Sequence, residues 1–275
     1  MRMRKMMTPK RRALAVFAAA VALAVGFAAP ASALSGSIKI SGSTTVQPAA
    51  QAVATSFMKK YPAVRITVVG GGSSVGINDV LAGRVAIGMS SRDLRTTELQ
   101  RGAYPTAIAR DALTIIVNPA NPVKNLTAAQ ITGIYTGRIT NWRQVGGPNA
   151  SIVPVGRAAT SGTGEFFKSR FLVGVTQSSR VKTYESNGLV RQAVASNKYA
   201  IGYVSMAFVN STVKPISIGG VYPSRTNALN GTYKYVRKLY LVTKGRPAGL
   251  AKYYIDYCLS STGQSIISRY YLPIR

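Results

Sequence analysis

The sequence predicts an α/β protein built as two lobes, and three observations predict it. Short strand-like apolar runs are followed repeatedly by a polar loop and then a segment with helical spacing, the pattern of a largely parallel sheet. The 275 residues are more than one compact core usually takes and suit two. A turn-rich piece, Asn118-Pro119-Ala120-Asn121-Pro122, follows the longest apolar strand, where a crossing between lobes is expected.

The elements follow in order. Residues 37–41 alternate like a strand and end in Gly42-Ser43-Thr44-Thr45, a turn with three hydroxyls. Residues 46–60 carry Val46, Ala50, Val53 and Phe57 at helical spacing. A second strand, 64–69, runs into Gly70-Gly71-Gly72-Ser73-Ser74 and a helix over 75–82; a third, 85–89, ends in Ser90-Ser91-Arg92. The long apolar strand spans 112–117, a helix 126–135 and a strand 152–155. The loop 157–164 leads into a helix over 165–172, and 189–196 and 200–204 read as helix and strand. After 213–218 the chain is loop-rich to 233. Residues 235–243 then form a strand returning to the first lobe, and 250–267 a closing helix. The expected first lobe combines 34–116 with 228–275, and the second is 117–227.

Residues 1–33 read as a secretory signal peptide. A basic leader (Arg2, Arg4, Lys5, Lys10, Arg11, Arg12) precedes an apolar run over 13–29, and Ala31-Ser32-Ala33 supplies the small residues of a cleavage site. The run is short and alanine-rich for a membrane span. The expected location is therefore periplasmic or extracellular, after cleavage near Ala33. The single cysteine, Cys258, has no partner for an internal disulfide and lies on a helical face, where a buried inert thiol is expected.

Charge is lopsided: 35 basic residues face seven acids, and without the six of the leader 29 face the same seven, leaving +22. Such a field attracts anions. The basic residues are scattered singly, with no dense run after the leader, so a solvated basic surface outranks specific nucleic-acid binding. With no histidine, one cysteine and no acids at metal-ligand spacing, the usual triads and zinc sites cannot be assembled. No catalytic residue, metal or cofactor is assigned, and a non-enzyme is expected.

Four loops carry chemistry, each at a strand's end and ahead of a helix: 42–45, 70–74, 90–92 and 157–164. Helix N-termini present unpaired N–H groups and favour negative charge. Hydroxyls donate to an oxyanion, and arginine offers a planar fork for two oxygens. Ser or Thr before a helix is usually an ordinary cap. Four such loops, with arginines and a glycine run beside them, point instead to an oxyanion.

The chain resembles the periplasmic phosphate-binding proteins of ABC importers, the PstS-like family, over nearly all its length beyond the leader. The resemblance rests on Gly42-Ser43-Thr44-Thr45-Val46, Gly72-Ser73-Ser74-Val75-Gly76-Ile77, Ile87-Gly88-Met89-Ser90-Ser91-Arg92 and Ser161-Gly162-Thr163. The run from Ile131 to Trp142, with Tyr135, Gly137, Ile139 and Trp142, and Ala200-Ile201-Gly202-Tyr203-Val204 add to it. It implies a two-lobed periplasmic-binding-protein fold with a ligand cleft between lobes. It further implies donors from Thr44, Thr45 and Ser73 on the first lobe and from Ser161, Gly162 and Thr163 on the second. Arg157 matches the family's ion-pairing arginine, Arg92 one near the ligand, and Ser91 lies in the third loop.

The chain departs from the family at Ala86, Ser91 and Ala159, where many members carry an acid able to accept a phosphate proton. With no such acid in the loops, affinity is expected to survive acidification. The expected ligand is inorganic phosphate or a related tetrahedral oxyanion, the expected partner a membrane permease of an ABC importer, and the expected state a monomer. The alternative is a secreted basic protein that binds nucleic acid or another polyanion on the same fold.

Overall fold

The computed structural model describes residues 34–274; the signal peptide expected over 1–33 lies outside the described residues. Along the chain, β1 (Gly36–Gly42) leads into α1 (Gln47–Lys60), β2 (Val64–Val69) into α2 (Ser73–Leu81), and β3 (Ile87–Ser90) into α3 (Thr96–Gln100). Then come β4 (Ala103–Val117), β5 (Asn125–Leu126), α4 (Ala128–Thr136), β6 (Val153–Arg157), α5 (Gly162–Phe171), β7 (Lys182–Tyr184), α6 (Asn187–Ala195) and β8 (Ala200–Ser205). The remainder is β9 (Lys214–Pro215), β10 (Ser217–Ile218), α7 (Arg225–Leu229), β11 (Val236–Lys244), α8 (Gly249–Leu259) and α9 (Ser261–Ile267).

The main sheet runs β2-β1-β3-β11-β4-β8-β6-β7, with β9 on β4. The β2-β1-β3 and β8-β6-β7 sets are parallel, as strand–loop–helix repeats require, while β11 and β4 run antiparallel between them.

Of the four hydrophobic clusters on this sheet among the described residues, two are large. One gathers Ile40, Val53, Phe57, Ile87, Met89, Ala109, Leu239, Leu241, Tyr254 and Cys258. The other gathers Leu113, Ile115, Ile134, Tyr135, Trp142, Phe167, Ile201 and Tyr203. The change of core falls between Ala109 and Ala112 on β4 and between Val236 and Leu239 on β11. The two long strands therefore carry the chain from one core to the other.

The crossing was expected at Asn118–Pro122, but β4 has already changed partner from β11 to β8 by Leu113. Asn118 and Asn121 instead donate to carbonyls of Val194, Ala195 and Lys198, so this turn is tied down at the end of α6. The strand also starts nine residues before the expected 112, because its first half, with Tyr104, Arg110 and Asp111, lacks the unbroken apolar run. The closing helix is two helices: Ser260 leaves the helical conformation and its hydroxyl caps α9 through the Gly263 N–H. Cys258 is buried, and burial pushes its thiol up to about 12, which leaves it a packing residue.

Candidate oxyanion site

The site is assembled where loops of both cores meet. Gly42, at the end of β1, has φ +128°, and a Cβ there would lie 2.5 Å from Met89 O and 2.9 Å from Gly76 Cα. Only glycine allows α2 to lie this close to β1 and β3, and that contact sets the N-terminus of α2 beside the turn into α1. Ser43 closes the turn, its Oγ accepting the Thr45 N–H at 3.2 Å. Gly72 (φ +101°) brings the chain against Thr160, whose carbonyl accepts the Ser74 N–H at 3.1 Å.

From the second core, β6 ends at Arg157 and Ser161 caps α5, its Oγ accepting the Gly164 N–H at 3.1 Å. The helix begins three residues earlier than the sequence pattern predicts, so Gly162 and Thr163 form its first turn. A Cβ on Gly162 would lie 2.2 Å from Ser73 Oγ and 2.9 Å from Ser91 Oγ. The cores touch directly here: Thr45 Oγ1 and Thr163 Oγ1 are 2.9 Å apart.

Arg157 is 3% exposed. Its Nε donates to Tyr184 O at 3.2 Å, and its Nη2 to Glu185 O at 2.9 Å and Thr44 Oγ1 at 3.1 Å. Nη1 has no protein partner, and no carboxylate lies within ion-pairing distance among the described residues. Burial draws the guanidinium down to about 10, and the Arg237 charge pulls the same way. A buried cation without a counterion is costly, and an anion is what relieves it.

Arg92 is different. Its Nη1 and Nη2 grip both oxygens of Glu98 at 2.8 and 2.7 Å, and its Nε lies 3.0 Å from the Glu165 carboxylate. Its Nη2 also donates to Ser74 Oγ at 3.2 Å. Burial works to lower its pKa, but the two glutamates hold it above the ordinary value. Glu165 in turn bonds Ser74 Oγ and the exposed Arg95. The structure thus gathers Thr44, Thr45, Ser73, Ser91, Arg157, Ser161, Gly162 and Thr163 and commits Arg92 to carboxylates at their margin.

Three residues that the loop pattern did not single out join them. Arg237, on β11, pairs with Asp111 directly across on β4, its Nη2 and Nε at 2.8 and 3.1 Å from Oδ2. The same Nη2 reaches Thr163 Oγ1 at 3.1 Å and Thr45 Oγ1 at 3.4 Å. Burial lifts the Asp111 carboxyl above its ordinary value, against the pull of Arg237 and the Ser205 hydroxyl. Asn187 donates to Thr45 Oγ1 at 3.0 Å and Thr44 Oγ1 at 3.4 Å, while its Oδ1 accepts the Ser205 N–H at 3.1 Å. One signal was available: Asp111 is a lone acid beside a run of apolar strand residues, a position that demands a buried partner.

Comparison with known proteins places this geometry in a family. The PBP superfamily domain matches residues 28–262. The phosphate-binding protein PstS of Bacillus subtilis is 34% identical over 248 residues, covering 87% of this chain and 81% of that protein. PstS of Borreliella burgdorferi is 31% identical, covering 84% and 87%. A phosphate ABC transporter substrate-binding protein from Clostridium perfringens, solved with bound phosphate, superposes with a TM-score of 0.83 at 38% identity over 87% of this chain and all of the other. An ABC-type phosphate transport receptor from Vibrio cholerae gives 0.73 at 34% identity, covering 86% and 99%. On fold, length and sequence the chain belongs to the PstS-like phosphate-binding proteins of the PBP superfamily, with their two-lobed α/β architecture.

Proposed function

We propose that the protein captures inorganic phosphate, or a closely similar tetrahedral oxyanion, outside the cytoplasmic membrane and delivers it to the permease of an ABC importer. The observation that carries this reading is Arg157: a buried guanidinium with no carboxylate, bonded to the Thr44 hydroxyl, with Nη1 unpartnered, at the end of the strand that leads into α5. The relatives' names and the bound phosphate of the clostridial structure support the ligand.

We take the lobes as 34–116 with 228–275 and 117–227, which the two cores support to within a few residues on β4. No helix of the described residues is long and apolar enough to cross a membrane, and export rests on the leader at 1–33. The protein acts as a monomer that binds rather than transforms its ligand. Closure of the lobes brings Thr45 and Thr163 together, and the closed form is what a permease would recognise.

Calorimetric titration tests this after bound anion is stripped by unfolding and refolding. One-to-one phosphate binding that holds between low and high salt is expected, because a buried pair is little screened. Weak binding of every small anion, with salt-sensitive binding to DNA or another polyanion, would replace the reading with surface attachment through the +22 charge.

A further inference from the structure

The cleft hydroxyls are ordered from behind. Thr44, Thr45, Thr163, Ser73 and Ser161 each accept a hydrogen bond from nitrogen: from Arg157 and Asn187, from Asn187 and Arg237, from Arg237, from the Ser91 N–H and from the Gly164 N–H. A hydroxyl has one proton to give and two lone pairs. Thr44, filled by Arg157 and Asn187, turns its proton outward. Thr45, filled by Asn187 and Arg237, lies 2.9 Å from Thr163 Oγ1 and gives its proton there, so of that pair it is Thr163 that faces a ligand as a donor. Ser73 and Ser161 each hold one nitrogen donor and keep a proton to give.

Two routes to that order start at Asp111. Its Oδ2 holds the Arg237 fork, which reaches Thr45 and Thr163. Its Oδ1 accepts the Ser205 hydroxyl at 2.7 Å, and the Ser205 N–H fixes the Asn187 carbonyl oxygen. The Asn187 amide is thereby oriented with its NH2 toward Thr45. Both carboxylate oxygens are spent, so the acid reaches the cleft only as N–H donors. One hydroxyl escapes: Ser91 Oγ has no nitrogen behind it and meets only Ser73 Oγ, at 3.4 Å.

We propose that Asp111 and Arg237 are the specificity-determining pair of this cleft: they fill Thr45 so that its proton goes to Thr163, they thereby fix Thr163 as a donor to the ligand, and they leave Ser91, with no nitrogen behind it, as the acceptor, so the cleft takes phosphate as the dianion, with one proton, and excludes the monoanion, with two. Sulfate, with none, fits equally, because Ser91 then donates. The proposal rests on reading the cleft as an oxyanion site. It departs from the expectation that affinity survives acidification, which holds here for sulfate and reverses for phosphate. A second phosphate proton would meet another donor and leave a buried polar group unpaired.

The charged and titratable groups around the cleft are Arg157, Arg237, Asp111, Tyr203 and Tyr271, with Glu185 behind Arg157 and Arg92, Glu98 and Glu165 beyond Ser73 and Ser74. Sulfate separates their titration from the ligand's, since it exchanges no proton between pH 5.5 and 8.

The experiment is calorimetric titration of the purified protein with phosphate and with sulfate across that range. Phosphate affinity is expected to fall by about tenfold per pH unit below neutrality, while sulfate affinity stays level. Level phosphate binding overturns the proposal, and so does one common slope for both anions. Binding of neither anion sinks the oxyanion reading and the proposal with it.

Two variants locate the cause. In D111N/R237Q a neutral amide pair replaces the buried ions, and Gln is too short to reach the threonines. The phosphate slope should flatten in this variant; an equal loss of both anions at every pH would make the pair merely structural and overturn its role. Ser91→Ala tests the acceptor even if the double variant fails to fold. It should weaken phosphate roughly tenfold more than sulfate, and an equal effect on both counts against the proposal.

Discussion

Arg92 and Arg157 occupy corresponding places, one beside each of the two parallel strand sets. Each stands at the end of a parallel strand beside a hydroxyl-rich loop, and each is buried. Their surroundings differ in one respect that decides their use. Arg92 is matched by Glu98 and Glu165, whereas Arg157 meets only carbonyls and a hydroxyl. An arginine's part in anion binding is set by which counterion the fold has already given it, not by its place in a loop. Arg92 and its glutamates form a seam joining α3, α2 and α5, while Arg157 is left without a counterion.

The comparison breaks most sharply by truncating each side chain. Arg157→Ala should weaken phosphate binding about a hundredfold, or roughly 3 kcal/mol, with little loss of thermal stability, since it removes an uncompensated buried charge. Arg92→Ala should do the reverse: less than a tenfold change in affinity, but a stability loss of about 3 kcal/mol, because Glu98 is left buried without its cation. Burial works to raise the Glu98 carboxyl, but Arg92 and the Arg95 N–H hold it below its ordinary value. Its contribution is therefore full above the ordinary carboxyl range and lost as pH falls through the lowered value. The gap between wild type and Arg92→Ala in thermal melts should narrow below about pH 4. Equal affinity losses for the two variants would erase the distinction.

Smaller changes sharpen where the lobes meet. Gly162→Ala places a methyl group against Ser73 and Ser91, and phosphate affinity should drop about tenfold through looser closure. Unchanged binding would mean that the serines yield without cost. Glu165→Gln keeps the shape of the seam and removes its charge. Glu165 is part-exposed, with 23% of its side chain accessible, so solvent discounts the pair. Phosphate dissociation in stopped flow should quicken about threefold with association nearly unchanged. A slowed association instead would place Glu165 in ligand encounter rather than in holding the lobes together.

The parallel strands and the loops at their carboxyl ends were legible because each is local: alternation, a glycine turn and a helix start all lie within a dozen residues. The first half of β4 and the break at Ser260 were not. The strand is held by β11, 126 positions away at the Asp111–Arg237 pair, and mixes charged residues with apolar ones. The break depends on a single capping serine inside an otherwise continuous helical pattern. The same distinction runs through the site. Thr44, Ser73 and Ser161 announce themselves by the loops that hold them. Arg237 is placed by strand pairing alone, and Arg92 is taken up by Glu98 and by Glu165, the latter reading locally as an ordinary acid in the first turn of a helix.

The smallest expected effect bears on the largest number in the composition. If the +22 net charge of residues 34–275 acted as a general anion trap, any cation would contribute to phosphate affinity according to its distance. Lys182, exposed on β7 one strand over from Arg157, is a fair probe. Lys182→Ala should change phosphate affinity by no more than about twofold at low salt, and not at all near physiological ionic strength, where the screening length is about 8 Å. The site is then the buried arginine and its donors, and the surface charge acts on how fast anions arrive. A loss from Lys182→Ala comparable to that from Arg157→Ala, persisting in salt, would give the surface field a thermodynamic share in the binding.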